Sequence, residues 1–155
     1  MRKKVAVILT AAVLSVSPAL ADPVSDLISD HNRNRFAAGA AEITGSPEIE
    51  NGIYTYHLSD NIIIEIATDG SEIKGFSCVC LDDSAVGEFL AQCVTAFYDI
   101  GGIETYIKCH DPLLTDFLAA RAGLELESNS SIPGVLFQVR KLKNGRYIFI
   151  IVKVK

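Results

Sequence analysis

The sequence has no tryptophan, a single methionine, and no apolar run long enough to cross a membrane after position 21. Its 155 residues are 49% hydrophobic and 21% charged, which is the ordinary composition of a globular protein. This balance excludes a disordered chain, a collagen-like repeat and a coiled coil. A domain of this length buries roughly two-thirds of the surface of the unfolded chain, so its stability requires neither a metal nor disulfides.

Several short motifs that carry chemistry are also missing. The sequence contains no phosphate-binding loop, no G-x-G-x-x-G, no H-E-x-x-H and no EF-hand loop. The G-x-S-x-G turn of serine hydrolases is missing as well. The sequence therefore predicts no cofactor and no metal ion, and it favours a protein that is not an enzyme.

Residues 1–21 have the pattern of a secretory signal peptide. The pattern consists of the basic residues Arg2, Lys3 and Lys4, the apolar run 5–16, and the small residues Ala19 and Ala21. We therefore expect export to the periplasm or beyond the cell, no transmembrane segment after cleavage, and one mature domain over 22–155. The alternative, an amphipathic helix that stays attached, lacks the polar face that such a helix needs.

Charge is distributed unevenly along the chain. All 19 acidic residues lie between Asp22 and Glu127, whereas the end of the chain is basic. The candidate partner-binding residues in that basic part are Arg140, Lys141, Lys143, Arg146 and Lys153. An acidic body disfavours nucleic-acid binding, which needs a broad positive surface. We expect these residues to meet another protein or an anionic component of the cell envelope, or to keep an edge strand from pairing with other chains.

Hydrophobic periodicity predicts an α+β domain with the element order helix-β-β-β-helix-helix-β-β. The predicted helices cover 22–38, 85–98 and a segment after Asp111 that ends at Gly123, and residues 103–109 are ambiguous. The predicted strands cover 53–58, 62–68, the segment after Gly70 up to 81, 134–142 and 146–154. Strands joined by tight turns are antiparallel, so we predict one five-stranded, mostly antiparallel sheet with helices packed on one face.

Two dipeptides, Asp69-Gly70 and Asn144-Gly145, have the signature of two-residue type I′ hairpin turns. The first turn places Glu65 opposite Lys74. The second turn gives an apolar face in which Val135, Phe137 and Val139 oppose Val154, Val152 and Ile150. The other face, near Arg140, is mixed, and we expect it to be partly exposed or covered by another element.

The disulfide candidates are Cys78, Cys80, Cys93 and Cys109. An even number of cysteines in an exported protein predicts two disulfides. Residues two apart on one strand have poor geometry for a bridge to each other. We therefore predict that Cys78 or Cys80 pairs with Cys93, and that the other pairs with Cys109. Buried free thiols, a cysteine-based metal site and a catalytic thiol are the alternatives; the C-x-C spacing is shorter than the usual gap between zinc ligands.

The histidines offer little support for catalysis. We expect His31 to face solvent on the first helix and His57 to lie at a sheet edge. Cys109, His110 and Asp111 are the remaining candidates for a thiol- or histidine-dependent hydrolase. Asp82 precedes a predicted helix, and we expect its side chain to cap that helix. The favoured hypothesis is a small exported binding module of unknown partner that acts through its sheet and C-terminal hairpin.

Overall fold

A computed structural model describes residues 22–155 of the chain. These residues form three α-helices and six strands, joined by loops and short 3-10 turns. The helices are α1 (Pro23–Asn34), α2 (Val86–Lys108) and α3 (His110–Arg121). The strands are β1 (Glu48–Glu50), β2 (Ile53–His57), β3 (Ile62–Thr68), β4 (Ile73–Cys80), β5 (Val135–Lys141) and β6 (Tyr147–Lys153). The predicted signal peptide lies outside the described residues.

All six strands belong to one sheet of order β1-β2-β3-β4-β6-β5, and every neighbouring pair is antiparallel. The α+β class is confirmed, but the predicted count of five strands is wrong because no strand was predicted before residue 53. Asn51 and Gly52, with φ of 51° and 77°, form a two-residue turn that pairs Glu50 with Ile53. A strand of three residues is too short for its alternation to be recognised in the sequence.

The hairpin between β3 and β4 has a different register from the one predicted. Thr68 pairs with Ile73, a bulge follows, and Glu65 therefore opposes Ser77 instead of Lys74. A type I′ turn needs positive φ at both central residues, but only Gly70 has it here. The Asp69 carboxylate instead accepts hydrogen bonds from the backbone N–H groups of two following residues, each at 3.0 Å, and so stabilises a longer loop.

The hairpin between β5 and β6 is also shifted, by one residue. Its turn contains the three residues Lys143–Gly145, and the N–H of Leu142 donates to the carbonyl of Arg146 at 2.7 Å. A shift of one residue exchanges the two faces of a strand. The buried residues of β6 are consequently Tyr147, Phe149 and Ile151, whereas Ile150 and Val154, which we predicted on the apolar face, are exposed. Burying two aromatic rings outweighs the preference of Asn-Gly for a two-residue turn.

The helices pack on one face of the sheet, as predicted. The side chains of the sheet that form this core are Tyr56, Ile62, Ile64, Ile66, Phe76, Cys78, Cys80, Val135, Phe137, Val139, Tyr147, Phe149 and Ile151. Phe97 of α2 lies 5.4 Å from the ring of Phe149, and Phe117 of α3 lies 5.2 Å from the ring of Tyr147. These contacts fix α2 and α3 above β4, β6 and β5.

The ends of the helices follow local signals in the sequence. Asp22 caps α1 by accepting a hydrogen bond from the N–H of Val24 at 3.0 Å. Gly102, with φ of 82°, interrupts α2 shortly after position 98, where the helix was predicted to end, but the ambiguous segment after it continues as helix up to Lys108. Apolar periodicity predicts that Phe36, Leu114 and Leu118 lie on buried helix faces, but all three side chains are exposed in the structure.

Candidate functional site

The sheet has a second face that carries no helix among residues 22–155. We define this outer face by the side chains that alternate with the core positions: Ile53, Thr55, His57, Ile63, Glu65, Ala67, Gly75, Ser77, Val79, Leu136, Gln138, Arg140, Ile148, Ile150 and Val152. Ile53 and Ile150 are 41% and 38% exposed, so large aliphatic side chains meet solvent here. An exposed group of apolar side chains on a folded domain is typical of a binding surface.

A depression of about 350 Å³ lies in the middle of the outer face. Its floor is low because Ala67, Gly75 and Ser77 occupy adjacent positions on β3 and β4. Larger aliphatic side chains, including those of Ile53 and Ile150, stand around this floor. A Cβ atom at position 75 would lie 3.1 Å from the Val152 side chain, so glycine keeps this part of the floor open.

The depression holds one acidic group. Ser77 donates a hydrogen bond through its Oγ to Glu65 Oε2 at 3.2 Å, which orients the carboxylate. Lys74 lies at the rim, and its Nζ is 2.8 Å from Asp69. The hydrogen bond to Asp69 raises the pKa of Lys74 and lowers the pKa of Asp69, so both groups stay charged at neutral pH. The depression can therefore bind a ligand that carries an apolar group beside a hydrogen-bond donor, because the Glu65 carboxylate can accept that hydrogen bond.

Both edges of the sheet are protected against the addition of a further strand. The outer edge of β5 pairs with Asn129, whose N–H donates to the carbonyl of Phe137 at 2.6 Å. The opposite edge is β1, which has three residues and carries Glu48 and Glu50. Short and charged edges disfavour pairing with another chain. A partner is therefore expected to dock on the outer face instead of extending the sheet.

The five basic residues predicted to bind a partner are all exposed. Arg140 belongs to the outer face, where it pairs with Ile148. Lys141 follows it and donates through Nζ to the carbonyl of Arg121 at the end of α3, at 3.3 Å. The structure thus brings one of the five candidates, Arg140, onto the outer face and leaves the others around the hairpin turn and at the end of β6.

The predicted hairpin register places Tyr147 and Phe149 on the same mixed face as Arg140, but both aromatic residues belong to the core. His57 is exposed, and it lies at the sheet edge as expected, because β1 pairs only with residues 53–55 of β2 and ends before His57. The sequence did not reveal the depression, because the small residues Ala67, Gly75 and Ser77 are seen to be neighbours only when the register of β3 and β4 is known.

His31 is buried, and the prediction that it faces solvent is wrong. It is 0% exposed, and its ring stacks on Phe76 at 5.5 Å. Nδ1 contacts the carboxylate of Asp99, whose side chain is also 0% exposed, and Nε2 lies 2.6 Å from Gln92 Oε1. The signal was present in the sequence, since His31 stands four residues after Leu27 on the apolar stripe of α1.

The hydrogen bonds around Gln92 assign the protons of this site. Gln92 Nε2 donates to the carbonyl of Ala41 at 2.9 Å and to Glu88 Oε1 at 2.7 Å. Its Oε1 must therefore accept from His31, so Nε2 of the imidazole carries a hydrogen. A second proton lies between Nδ1 and Asp99. Both ring nitrogens are thus occupied in a sealed position, and the imidazole joins α1 to α2 instead of acting as a general base.

All four cysteines are buried free thiols in this structure, so the two predicted disulfides are not present in it. Burial raises the pKa of the Cys80 thiol and raises that of Cys93 well above its ordinary value. A thiol with a raised pKa is a poor nucleophile at neutral pH, because little thiolate is available.

The three adjacent candidates for a hydrolase are not assembled into a site. Cys109 is buried, donates through its thiol to the carbonyl of Tyr106 at 2.9 Å, and has its pKa raised by burial to about 11. His110 and Asp111 are exposed at the start of α3. The predicted cap is present, since Asp82 Oδ1 accepts from the N–H of Ser84 at 2.9 Å.

Comparison with protein-family models, with curated proteins and with solved structures finds no match for this chain. Within residues 22–155, no group of three or more histidine, cysteine or acidic side chains is arranged to hold a metal ion. Over the same residues, no helix has the length and apolar character needed to cross a membrane. The outer face, with the depression between Ile53 and Ile150, is the candidate functional site.

Proposed function

We propose that this protein is an exported binding module that docks a protein partner on its outer face. The observation that carries the proposal is the depression of about 350 Å³ between Ile53 and Ile150, on a sheet face without a helix among residues 22–155. Exposed aliphatic side chains beside a depression bury apolar area on binding, and this burial is the main favourable term in protein association.

Charge defines the chemistry of the partner. The outer face ends at Arg140, and the chain from 128 to 155 contains six basic residues and no acidic residue. A partner that presents apolar side chains flanked by acidic residues would complement both features. The 19 acidic residues of the body repel nucleic acid, so a protein surface is the partner that we propose.

A binding role is supported over a catalytic one by the state of a buried histidine and of the candidate thiol. His31 has both ring nitrogens occupied, and Cys109 is buried with a raised pKa. Export is the second part of the proposal and depends on the pattern of residues 1–21.

The docking proposal is tested with three variants of the tagged protein. Ala67→Leu fills the depression from a half-buried position, and Ile150→Asp places a charge beside it. Leu118→Asp is the matched control, because Leu118 is an aliphatic residue on α3 that is 53% exposed. A partner captured from the source cells is purified, and its Kd is measured against each variant by calorimetry.

We expect Ala67→Leu and Ile150→Asp to weaken binding by at least about tenfold and Leu118→Asp to leave it unchanged. If only Leu118→Asp weakened binding, the binding site would lie on the helical surface instead of the outer face. No effect of any variant would refute docking on the outer face.

The contribution of the hairpin is tested separately by reversing charge at Lys141, Lys143 and Arg146. Complementary charges mainly accelerate association, so the triple glutamate variant should bind more slowly and lose most of its salt dependence. An unchanged association rate and salt dependence would show that these three residues do not meet the partner.

A further inference from the structure

The outer face carries small side chains on two strands and large ones on the next two. The floor of the depression lies on β3 and β4 and consists of Ala67, Gly75 and Ser77. The outward side chains of β6 and β5 beside this floor are aliphatic and include Leu136, Ile150 and Val152. Ser77 pairs with Ile150, so the low and high parts of the face meet along the boundary between β4 and β6.

Two opposite charges occupy the same two parts of the face. Glu65 lies in the low part on β3, is half-buried, and accepts the hydrogen bond from Ser77. Arg140 lies in the high part on β5 and is exposed. Because β4 and β6 separate them, the two backbone positions are at least about 14 Å apart at the usual spacing of strands. Within residues 22–155, neither charge has a salt-bridge partner.

We propose that the partner of the outer face is a second copy of this chain, packed face to face around a two-fold axis that runs parallel to the strands between β4 and β6. The inference rests on the proposed function, because it names the protein that docks there. A two-fold axis in this position places β3 of one copy over β5 of the other, and β4 of one copy over β6 of the other. Every contact then occurs twice, once in each direction.

This axis brings the high part of each copy over the low part of the other. Leu136, Ile150 and Val152 of one copy lie over the floor of the depression in the other copy, where alanine, glycine and serine leave room for them. Packed sheets with aligned strands differ in direction by about 30°, so side chains of the two faces interdigitate. Aliphatic side chains thereby fill the depression of about 350 Å³, and apolar surface is removed from water in both copies.

The same axis brings the two charges together. Through the strand pairings, Arg140 is in register with Ile63 of its own sheet, two residues from Glu65. In the dimer, Arg140 of one copy therefore lies over β3 of the other, displaced from Glu65 by about 7 Å along the strand, which an arginine side chain can span. Each carboxylate gains an arginine from the other copy, and this ion pair offsets the cost of removing Glu65 from water.

The area of contact is sufficient for a specific but weak dimer. The four overlapping strands have at least seven residues each, and they extend over about 24 Å with a spacing of about 4.8 Å between strands. The flat area is then roughly 450 Å² per copy, and the relief of the side chains adds to it. The two copies together bury about 1,000 Å², the lower bound of a specific interface, so we expect a Kd of about 1–100 μM.

The first test is sedimentation equilibrium of the purified protein alone from about 1 to 500 μM, where we expect monomers and dimers in equilibrium. Arg140→Glu places two acidic groups at each contact, and Glu65→Lys places two basic groups there, so each variant should weaken the dimer by at least about tenfold. The matched control is Arg33→Glu, which should leave the dimer unchanged, because Arg33 is 70% exposed on α1, on the helical side of the sheet. A monomer at every concentration, or a dimer that neither variant weakens, would overturn the proposal.

A mixture of the two variants tests the two-fold arrangement itself. Arg140→Glu keeps Glu65, and Glu65→Lys keeps Arg140, so a pair made of one copy of each variant has opposite charges at both contacts. Equimolar mixing should restore a dimer to within about threefold of the unsubstituted Kd, whereas each variant alone stays monomeric at the same concentration. No restoration between variants whose circular dichroism spectra match that of the unsubstituted protein would contradict the arrangement. If Glu65→Lys does not fold, the unsubstituted protein and Arg140→Glu still decide the proposal.

The two proposals can fail separately. If the protein stays monomeric but Ala67→Leu weakens the binding of a captured partner, self-association is wrong and docking of another protein on the outer face stands. If the protein stays monomeric and Ala67→Leu does not change the Kd of that partner, both proposals are wrong.

Discussion

Replacing Asp99 by alanine removes the partner of His31 from a site where neither side chain meets solvent. The substitution leaves His31 Nδ1 without its contact. It also leaves Asn34 without the carboxylate oxygen to which its Nδ2 donates at 3.2 Å. Gln92 still holds the other ring nitrogen, so the imidazole cannot turn to find a new partner without breaking a second hydrogen bond.

The expected cost follows from the burial of the pair. Removal of one partner from a buried, hydrogen-bonded pair of this kind destabilises a protein by about 3–5 kcal/mol. Asp99→Asn should cost less, about 1–2 kcal/mol, because an amide donates to Nδ1 of a neutral imidazole and still accepts from Asn34. The matched control is Asp30→Ala, which breaks an ion pair with Arg33 whose side chains are 57% and 70% exposed, at a cost of about 0–1 kcal/mol.

The assay is equilibrium unfolding in urea, followed by circular dichroism, for the unsubstituted chain and the three variants. The free energy of unfolding should be lowered least by Asp30→Ala, more by Asp99→Asn and most by Asp99→Ala. The reasoning would be refuted if Asp99→Ala cost no more than Asp30→Ala, because the pair could not then be buried and mutually dependent.

Three further perturbations address local features of the fold. Gly52→Ala should cost about 1–3 kcal/mol in urea unfolding, because φ at this position is 77° and a Cβ would lie 2.5 Å from the Thr68 carbonyl; an unchanged midpoint would contradict the turn geometry. The side-chain hydrogen bond of Ser84 lowers the pKa of Asp82, so the stability from this cap should be lost as pH falls below about 4, and Asp82→Ala should remove that acid dependence. Burial raises the pKa of Cys109 from 9.0 to about 11, so the unfolded chain loses this proton first and stability should fall by up to about 3 kcal/mol as pH rises through that range. Cys109→Ala should lack this alkaline slope, and an identical slope in both proteins would place the thiol in solvent.

The sequence predicted the elements better than their pairing. Asp22 and Asp82 marked the starts of helical segments, and Gly123 marked the end of α3. These signals act over a few residues, because a cap satisfies backbone groups of its own first turn. The isoleucine-rich composition of Ile62–Thr68 likewise predicted β3 with its observed bounds.

The register of the two main hairpins required the tertiary structure. Strand β6 has apolar side chains on both faces, with Phe149 and Ile151 on one and Ile148, Ile150 and Val152 on the other. Its alternation therefore did not indicate which face is buried, and the turn dipeptide favoured the wrong one. Packing of Phe97 and Phe137 against Phe149 decides the outcome, because only one register buries these rings together.

The candidate site depended on the same missing information. The basic residues of the hairpin were visible in the sequence because charge is a local property, and all of them are exposed. The depression was not visible, because Ala67 and Gly75 become neighbours only after the β3–β4 register is fixed.

The sequence by itself determined the α+β class, the starts of the helices, most of the strands and the basic C-terminal hairpin. Tertiary structure decided which faces are buried, placed His31 and Asp99 together across 68 residues, and left the outer face of the sheet without a helix among residues 22–155. The physical reason is the distance along the chain over which each kind of interaction acts. Caps and periodicity report interactions within a few residues, whereas register and burial follow from packing between elements that are distant in the chain.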